Sequence, residues 1–486
     1  MPHLWHETRA KSRRRGCEVK PWSWLAIVGV GLLASACVSE DAGYQDVRNT
    51  TAARIHRDVR WDAHDSASAT QKETRDLLAR PLDASAAVQV ALLNNQGLQG
   101  AFEELGVARA GLVQALRIPN PTIEAALRFK RKTTPDIDLL ATLSLTDLLF
   151  LPMRKGMSNA QMDAAKARVA GSVLDLALDV RVAFYAYQSA LQQFELRKSV
   201  LDALGTSFEL AKRLNAAGNS TDLSLENEQA LFEESRISFA HAESMLAATR
   251  EELSARMGLW GTETTWTVQP RLADAATPDP ALSTLESRAL ESSLDLEFLR
   301  HRYEAEGKLA NLSKLRGWVP DLRAGVSAQR QDNDWGVGPA ATLSLPLFYQ
   351  GQGESGMALA EMRRARKLYT DTAVRVRATA RGTVARLRAA GESAEYYRTV
   401  LLPLRQRIVD NTQLEYNAMG VGVFQLLQAK RDQISAAAGY VDLLREYWTL
   451  RAEVDQLAAG RLPRSSLGVG TDAMPLESER GMADAH

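Results

Sequence analysis

Apolar side chains recur along this chain with two periods, and the shorter one predicts β-strands. Four short segments alternate between apolar and polar residues, as a strand with one apolar face does. Their apolar positions are Ile123, Ala125, Leu127 and Phe129; Ile137, Leu139, Ala141, Leu143 and Leu145; Leu322, Ala324, Val326 and Ala328; and Ala341, Leu343 and Leu345. Segments of ~9–11 residues are long enough for a tilted strand to cross a bilayer. We expect two β-hairpins, 121-150 and 320-348, with one face for lipid and one for water. The alternative is a half-buried sheet on a soluble core.

The longer period is seven residues and predicts coiled-coil helices over about 154–216 and 353–417. In the second stretch the repeating positions are Tyr369, Val376, Thr383, Ala390, Tyr397 and Leu404, with Ala373, Ala380, Leu387, Ala394, Leu401 and Ile408 four residues after each. The first stretch repeats in the same way at Val173, Val180, Tyr187, Phe194, Leu201 and Phe208. About 60 helical residues span ~90 Å, far more than a compact domain needs.

An internal duplication relates the two halves of the chain. Ala141–Leu145 recurs letter for letter as Ala341–Leu345, 200 residues later. Asn215-Ala216 with Gly218 recurs as Asn417-Ala418 with Gly420, an offset of 202. The first repeat is 81-257 and the second is 281-460, joined by a linker at 258-280. Each repeat is expected to contain a first helix (84–117 or 281–315), a β-hairpin, a long helix and a last helix (220–257 or 421–460).

Four strands are too few to close a barrel. An open strand edge is not tolerated in lipid, and the smallest common barrels have eight strands. Three chains with four strands each would supply twelve. The expected fold is therefore mainly α with a small β part: a long coiled-coil helical barrel plus a transmembrane β-barrel shared by three protomers.

The N-terminus has the pattern of a secretory signal peptide, 1-36. Six basic side chains precede or flank an apolar run, which ends in Leu33-Ala34-Ser35-Ala36-Cys37. Small residues before a cysteine resemble the lipobox of bacterial lipoproteins, and this resemblance implies cleavage before Cys37 and lipidation of its thiol. Segment 37-80 would then be a lipidated N-terminal segment, and Val38 favours the outer membrane. The alternative is an ordinary signal peptide with a chance cysteine.

Charge and motifs exclude several functions. The chain has 59 basic and 59 acidic residues, so no basic field indicates nucleic-acid binding. The seven histidines are scattered, without the spacing of metal ligands or of a catalytic base. No Gly-rich phosphate loop is present. We therefore expect no enzyme activity, no cofactor and no metal site. Residues 461-486, rich in Gly, Ser, Pro and charge, are expected to be disordered.

Roughly residues 80–460 resemble the TolC-type outer-membrane efflux protein family. The resemblance is carried by Arg117 with Pro121, Gly338–Phe348 followed by Gly351, Tyr416–Gly420, and Leu426–Ala429. It implies a homotrimer anchored in outer-membrane lipid and extending into the periplasm, with a periplasmic adaptor protein and an inner-membrane pump as partners. An RND-type pump for drugs or heavy metals fits best. The alternatives are a periplasmic adaptor lipoprotein and the exit duct of a type I protein secretion system.

The resemblance also implies roles for two sets of residues. Asn215, Gly218, Asn417 and Gly420 would lie at the tips of the helical hairpins, where such proteins meet their adaptor. Glycine would suit a helix end with positive φ, and the alternative role is a plain helix cap.

Pro403 lies inside the second long helix and is expected to bend it where the family closes its entrance. Asp410 and Glu415 would form a cation-attracting ring at this entrance. The alternatives are a harmless kink for Pro403 and a solvated outer face for the two acids.

Overall fold

The computed structural model describes residues 41, 43–61, 67–129, 135–275, 280–331 and 334–464. The predicted signal peptide, the lipidation site Cys37 and residues 465–486 of the expected tail lie outside the described residues. Mainly helical structure with one small sheet is confirmed as the fold class. Of the described residues, no helix combines the length and the apolar character that a bilayer span requires.

The first repeat follows two helices, α1 (Tyr44–Ile55) and α2 (Ala67–Leu78). Its elements are α3 (Ala84–Asn94), α4 (Gln96–Leu116), β1 (Thr122–Arg128), β2 (Asp136–Ser144), α5 (Leu145–Leu149), α6 (Leu151–Ala216) and α7 (Asp222–Met257). A 3₁₀ turn at Gly261–Thr264 lies in the linker. The long helix α6 has 66 residues, which corresponds to about 100 Å.

The second repeat has the same order of elements, except that residues 345–351 form no helix corresponding to α5. After a 3₁₀ turn at Pro280–Thr284 come α8 (Leu285–Glu291), α9 (Leu294–Trp318), β3 (Asp321–Gln331), β4 (Asp334–Ser344), α10 (Gln352–Tyr396), a π-helical segment (Tyr397–Leu401), α11 (Leu402–Asn417) and α12 (Val423–Ala458). The long helix of this repeat is thus divided in three, whereas α6 is continuous.

The first helix of each repeat is also divided, contrary to the single helices expected over 84–117 and 281–315. The side chain of Asn95 accepts a hydrogen bond from the Leu98 amide and caps α4. Ser293 caps α9 in the same way through the Leu296 amide. A short polar side chain at each position satisfies an otherwise free amide, so a new helix begins there.

The largest hydrophobic core lies around α6 and includes the N-terminal segment. The rings of Tyr44 and Trp61 pack against Phe102 of α4 at centroid distances of 5.6 and 6.2 Å. The Tyr44 hydroxyl donates to the Val59 carbonyl, so this buried polar group is satisfied. Residues 43–61 are therefore part of the folded body.

A buried ion network joins the two repeats to the end of the chain. Arg461, just after α12, binds Asp175 of α6 through two nitrogens, Nε at 3.0 Å and Nη2 at 2.7 Å. The same guanidinium contacts Asp295 of α9. The Leu462 amide donates to Asp295, and Gln456 donates to Asp175. One side chain thus holds elements from three parts of the sequence together.

Candidate functional site: a two-faced sheet and two helical tips

The sheet has the order β1-β2-β3-β4, and all neighbouring strands are antiparallel. The central pairing, β2 with β3, joins one hairpin from each repeat. Strands β1 and β4 have no partner on their outer side among the described residues. Each outer edge therefore exposes backbone N–H and C=O groups that a further strand would satisfy.

The strand register places the predicted apolar residues side by side on one face. Ile123 pairs with Ala141, Ala141 with Val326, and Val326 with Pro339. The next rows are Ala125, Leu139, Ala328 and Val337; Leu143, Ala324 and Ala341; and Leu322 with Leu343. Many of these side chains are exposed, among them Ile123, Val326, Val337 and Leu343. A continuous exposed apolar surface of this kind requires a covering phase or partner.

The opposite face of the same sheet is mostly polar. Thr122 pairs with Thr142, and Ser144 pairs with Arg323, which faces Thr342. Arg128 and Asp138 form an ion pair across β1 and β2 with a distance of 2.6 Å. The two faces differ because side chains alternate along every strand and the register keeps this alternation in phase across the sheet.

Exposed aromatic side chains lie at both ends of the sheet. Phe129 and Trp335 lie at the end that carries the two hairpin loops. Trp318, Phe348 and Tyr349 lie at the other end, where the strands meet the helices. Aromatic residues at two levels separated by an apolar band are typical of proteins that cross a bilayer.

The first helical tip joins α6 to α7, and Gly218 lies at its turn with φ of +74°. The Gly218 amide donates to the Asn215 carbonyl at 2.9 Å, and the Asn219 amide to the Leu214 carbonyl at 2.8 Å. This is a Schellman helix end, in which the positive φ favours glycine. The Asn215 side chain donates across the turn to Ser220 and Asp222. The expectation of positive φ is confirmed here.

At the second tip, between α11 and α12, the expectation of positive φ at Gly420 is wrong. The residue with positive φ is Met419, at +60°. The Met419 amide donates to Tyr416 and the Gly420 amide to Glu415, the same Schellman pattern as at the first tip. The two helix ends correspond at an offset of 201, whereas the sequence motif gives 202. Asn417 is therefore one position later in its helix than Asn215.

Met419 is a residue that the sequence did not single out. It adopts the left-handed backbone, which residues other than glycine, asparagine and aspartate adopt only at a cost. Its side chain is 94% exposed at the end of the hairpin. An exposed apolar side chain on a strained turn is a candidate contact residue.

Pro403 lies in the first turn of α11, directly after the π-helical segment Tyr397–Leu401. In a regular α-helix its ring would clash with the carbonyl four residues earlier, that of Thr399. The wider π turn includes Thr399, so it lies where this clash would occur. The predicted bend for gating stays a prediction.

The π segment shifts the coiled-coil register that the sequence predicted. Leu404 and Ile408, expected in the apolar seam, are 42% and 38% exposed, whereas Val409 is only 5% exposed. One extra residue in the π turn rotates everything after it, so the buried position falls one residue later. The heptad pattern is thus wrong from Leu404 onward.

Asp410 and Glu415 are both exposed. Asp410 accepts a hydrogen bond from Gln406 at 2.7 Å, one turn earlier on the same helix. The predicted acidic ring at an entrance stays a prediction. Within the described parts of the chain, no three His, Cys, Asp or Glu side chains are grouped to hold a metal ion.

Comparison with known proteins agrees with this architecture. Residues 87–259 match the family model described as outer membrane efflux protein. The cobalt-zinc-cadmium resistance protein CzcC of Cupriavidus metallidurans is 22% identical over 388 residues, which cover 78% of this chain and 90% of that protein.

Among solved structures, CusC aligns with a TM-score of 0.63 and 16% identity over 80% of this chain and 92% of that one. The CmeC outer membrane channel of Campylobacter jejuni aligns with a TM-score of 0.63 and 13% identity over 79% and 86%. At these identities the structures establish a shared fold. The chain is thus similar to the outer membrane efflux protein family over residues 87–259, and over most of its length it shares the fold of outer-membrane channels.

Proposed function

We propose that three copies of this chain form a passive exit duct across the outer membrane and much of the periplasm. The observation that carries this proposal is the four-stranded sheet with one apolar face, one polar face and two open edges. Its apolar face would contact lipid and its polar face would line water. Because an open edge in lipid leaves unsatisfied backbone groups, the strands of other copies must complete the barrel.

The alternating strand directions support closure by identical copies. With four antiparallel strands per chain, β4 of one copy runs antiparallel to β1 of the next. Three copies give twelve strands, a number within the range of known barrels. One copy alone would leave both edges unpaired.

The helical part supports a long periplasmic tube. Helix α6 alone corresponds to about 100 Å, several times the ~30 Å of a bilayer core. The tips with Gly218 and with Met419 and Gly420 lie at the far ends of these helices, and we propose that they contact a periplasmic adaptor. In the proposed complex an inner-membrane pump of the RND type supplies the energy, and the duct is passive.

The proposed cargo is a heavy-metal cation or a drug. The curated relative CzcC is a cobalt-zinc-cadmium resistance protein, which favours divalent metals. We also propose that Cys37, outside the described residues, is lipidated and anchors the chain in the outer membrane. An adaptor lipoprotein is disfavoured because adaptors resemble a single helical hairpin, whereas this chain has two repeats and a four-stranded sheet.

The test of the duct is reconstitution of the purified full-length protein. Chemical cross-linking in detergent should give products of up to three subunits and no larger ones. The protein inserted in planar bilayers should produce discrete conductance steps. A monomer without conductance, isolated from the membrane fraction, would overturn the proposal. Incorporation of radiolabelled palmitate into the wild type, and not into Cys37→Ser, tests the anchor separately.

The cargo is tested by growth of the source bacterium after deletion of the gene. Sensitivity to Co²⁺, Zn²⁺ and Cd²⁺ that the gene restores would support metal export, and sensitivity to hydrophobic drugs alone would support drug export. Loss of a secreted protein without either sensitivity would instead indicate a type I secretion duct and overturn the RND assignment.

A further inference from the structure

The four helices nearest the tips form a row with two free ends. Helix α7 packs against α6, α6 against α12, and α12 against both α10 and α11. Helices α7 and α11 therefore lie at opposite ends of the row. In a closed ring of identical chains, the α7 end of one chain must meet the α10–α11 end of the next.

The free face of α7 carries exposed apolar side chains. Ile237 is 74% exposed, and Leu223, two heptads earlier, and Met245 are exposed as well. The opposite face of the same helix packs on α6 through Phe232 and Phe239, whose rings contact Phe208 and Phe194. The apolar residues of α7 thus serve two different faces, of which only one is covered within the chain.

At the other end of the row, the π segment leaves a second stripe of exposed apolar side chains, comparable to the one on α7. Tyr396, Val400, Leu404 and Ile408 follow one another at four-residue spacing and are all exposed. A regular α-helix would have placed Leu404 and Ile408 in the seam with α12. The shifted register buries Val409 there and leaves this stripe uncovered.

The exposed apolar residues around Ile237 on α7 and the stripe Tyr396–Ile408 lie at the same height along the helices. Phe239 of α7 contacts Phe194 of α6 with ring centroids 5.1 Å apart, and the neighbouring Gln193 donates to Ala438 of α12 at 2.9 Å. Next to Ala438, Gly439 faces the Tyr397 ring. Rotation about a tube axis preserves height. The height of Ile237 along the tube axis would thus match that of the Val400–Leu404 stretch of another chain to within about one to one and a half helical turns of 5.4 Å.

The charges of the two ends are complementary. Helix α7 carries eight acidic and three basic side chains. The stretch 386–407 carries five basic and two acidic ones. Opposite charges flanking an apolar stripe favour one pairing over self-pairing of either end, although exposed pairs add little stability.

We propose that the π segment Tyr397–Leu401 builds the subunit seam of the helical tube, by turning Val400, Leu404 and Ile408 toward Ile237 on α7 of the neighbouring copy. This rests on the trimeric duct proposed above. The seam is apolar at its centre and flanked by acidic residues on one side and basic residues on the other.

Engineered disulfides test this seam in the full-length protein in its own membrane. The only cysteines of the chain are Cys17 and Cys37, so few native thiols can compete with the introduced cysteines. Ile237→Cys is combined with Val400→Cys or with Leu404→Cys and oxidised under mild conditions. A disulfide forms only when the Cα atoms approach within ~7 Å, so we expect at least one pair to give covalent trimers. The matched control is Val107→Cys, exposed on α4 near the sheet, which should not cross-link when it replaces Ile237→Cys in either pair.

The outcomes separate this inference from the proposed function. Trimers by chemical cross-linker, with neither disulfide pair formed, would overturn the seam and leave the duct intact. Covalent dimers from Leu404→Cys alone would show that α11 meets α11 across the axis, which also overturns the seam. Absence of any trimer would overturn the duct itself.

A second variant keeps the test independent of disulfide geometry. Ile237→Glu should reduce the trimer fraction at least tenfold, since it adds a charge to the apolar centre of the seam. Ser435→Glu is the control: Ser435 is exposed on α12, inside the row, so this variant should leave the trimer fraction unchanged. Equal behaviour of the two variants would contradict the proposed seam.

Discussion

The Arg461 side chain connects the C-terminal end of α12 to both repeats. Its guanidinium binds both oxygens of Asp175, which is 3% exposed, and also contacts Asp295. Burial acts to lower the pKa of Arg461, but the two carboxylates raise it above its ordinary value, so the side chain stays charged. Gly171 leaves room for the guanidinium, since a Cβ there would lie 3.0 Å from it.

Replacing Arg461 by Met should destabilise the fold by about 3–5 kcal/mol, because two buried carboxylates lose their counter-charge. Urea denaturation followed by circular dichroism measures the loss. Arg464→Met is the control: Arg464 is more exposed and lies 3.6 Å from the same Asp175, so the expected loss is under about 1 kcal/mol. Similar losses in both variants would show that the network is not held by Arg461.

The two tip turns should respond in opposite directions to matched substitutions. Met419→Gly should stabilise its turn by about 1 kcal/mol, and Gly218→Ala should destabilise the other by a similar amount, since both positions have positive φ. Hydrogen exchange of the Gly420 and Asn219 amides, which close the two turns, reports the local opening free energy. Faster exchange at Gly420 in Met419→Gly would contradict the strain assigned to Met419.

At the scale of elements, the division of the second long helix distinguishes the two repeats. Helix α6 is continuous over 66 residues, whereas α10 and α11 are separated by the π segment before Pro403. Pro403 removes one backbone hydrogen bond, and the π turn replaces the regular i to i−4 hydrogen bonds beside it. Both features therefore weaken the helix at the same place. A duplicated architecture thus contains one stiff and one interrupted long helix.

Deleting Thr399 should remove the π turn and leave the faces of the following helix unchanged, because the deletion takes out the one extra residue. Val409 would stay in the seam with α12, and a cysteine at position 404 should react with a maleimide at an unchanged rate. The control is a cysteine at Arg388, which precedes the π segment and should also react at an unchanged rate. Several-fold slower reaction at position 404 in the deletion variant would mean that the π turn does not hold one extra residue.

At the scale of the whole molecule, the sheet has little to cover it within one chain. Both faces are largely exposed, and the helices contact the sheet only at the end opposite its hairpin loops. A soluble domain would bury one face, so the uncovered apolar face and the open edges among the described residues agree with the proposed duct, in which lipid and further strands cover them.

The two faces should therefore differ sharply in tolerance to charge. Ala341→Arg, on the apolar face near mid-sheet, should cost about 2–4 kcal/mol in the membrane and reduce the amount of assembled protein. Thr342→Arg, the adjacent residue on the polar face, should assemble normally. Quantitative blotting of the outer-membrane fraction compares them. Equal loss in both variants would argue against a lipid-facing apolar surface.

The sequence by itself determined the sheet faces and most helices. Alternation of apolar and polar residues at Ile123–Phe129 and its counterparts indicates which side chains share a face, because successive side chains of a strand point to opposite faces. Seven-residue periodicity identified the long helices. The repeated Ala-Thr-Leu-Ser-Leu motif revealed the duplication because both copies occupy equivalent strands.

Only the tertiary structure decided three features, each for a physical reason. The π turn, which moves the buried position from Ile408 to Val409, depends on packing against α12 and leaves no periodic trace. Positive φ at Met419 rather than Gly420 follows from where α11 ends, which is set by that same register. The pairing of Arg461 with Asp175 and Asp295 joins residues more than 160 positions apart, and no local pattern connects groups so distant in sequence.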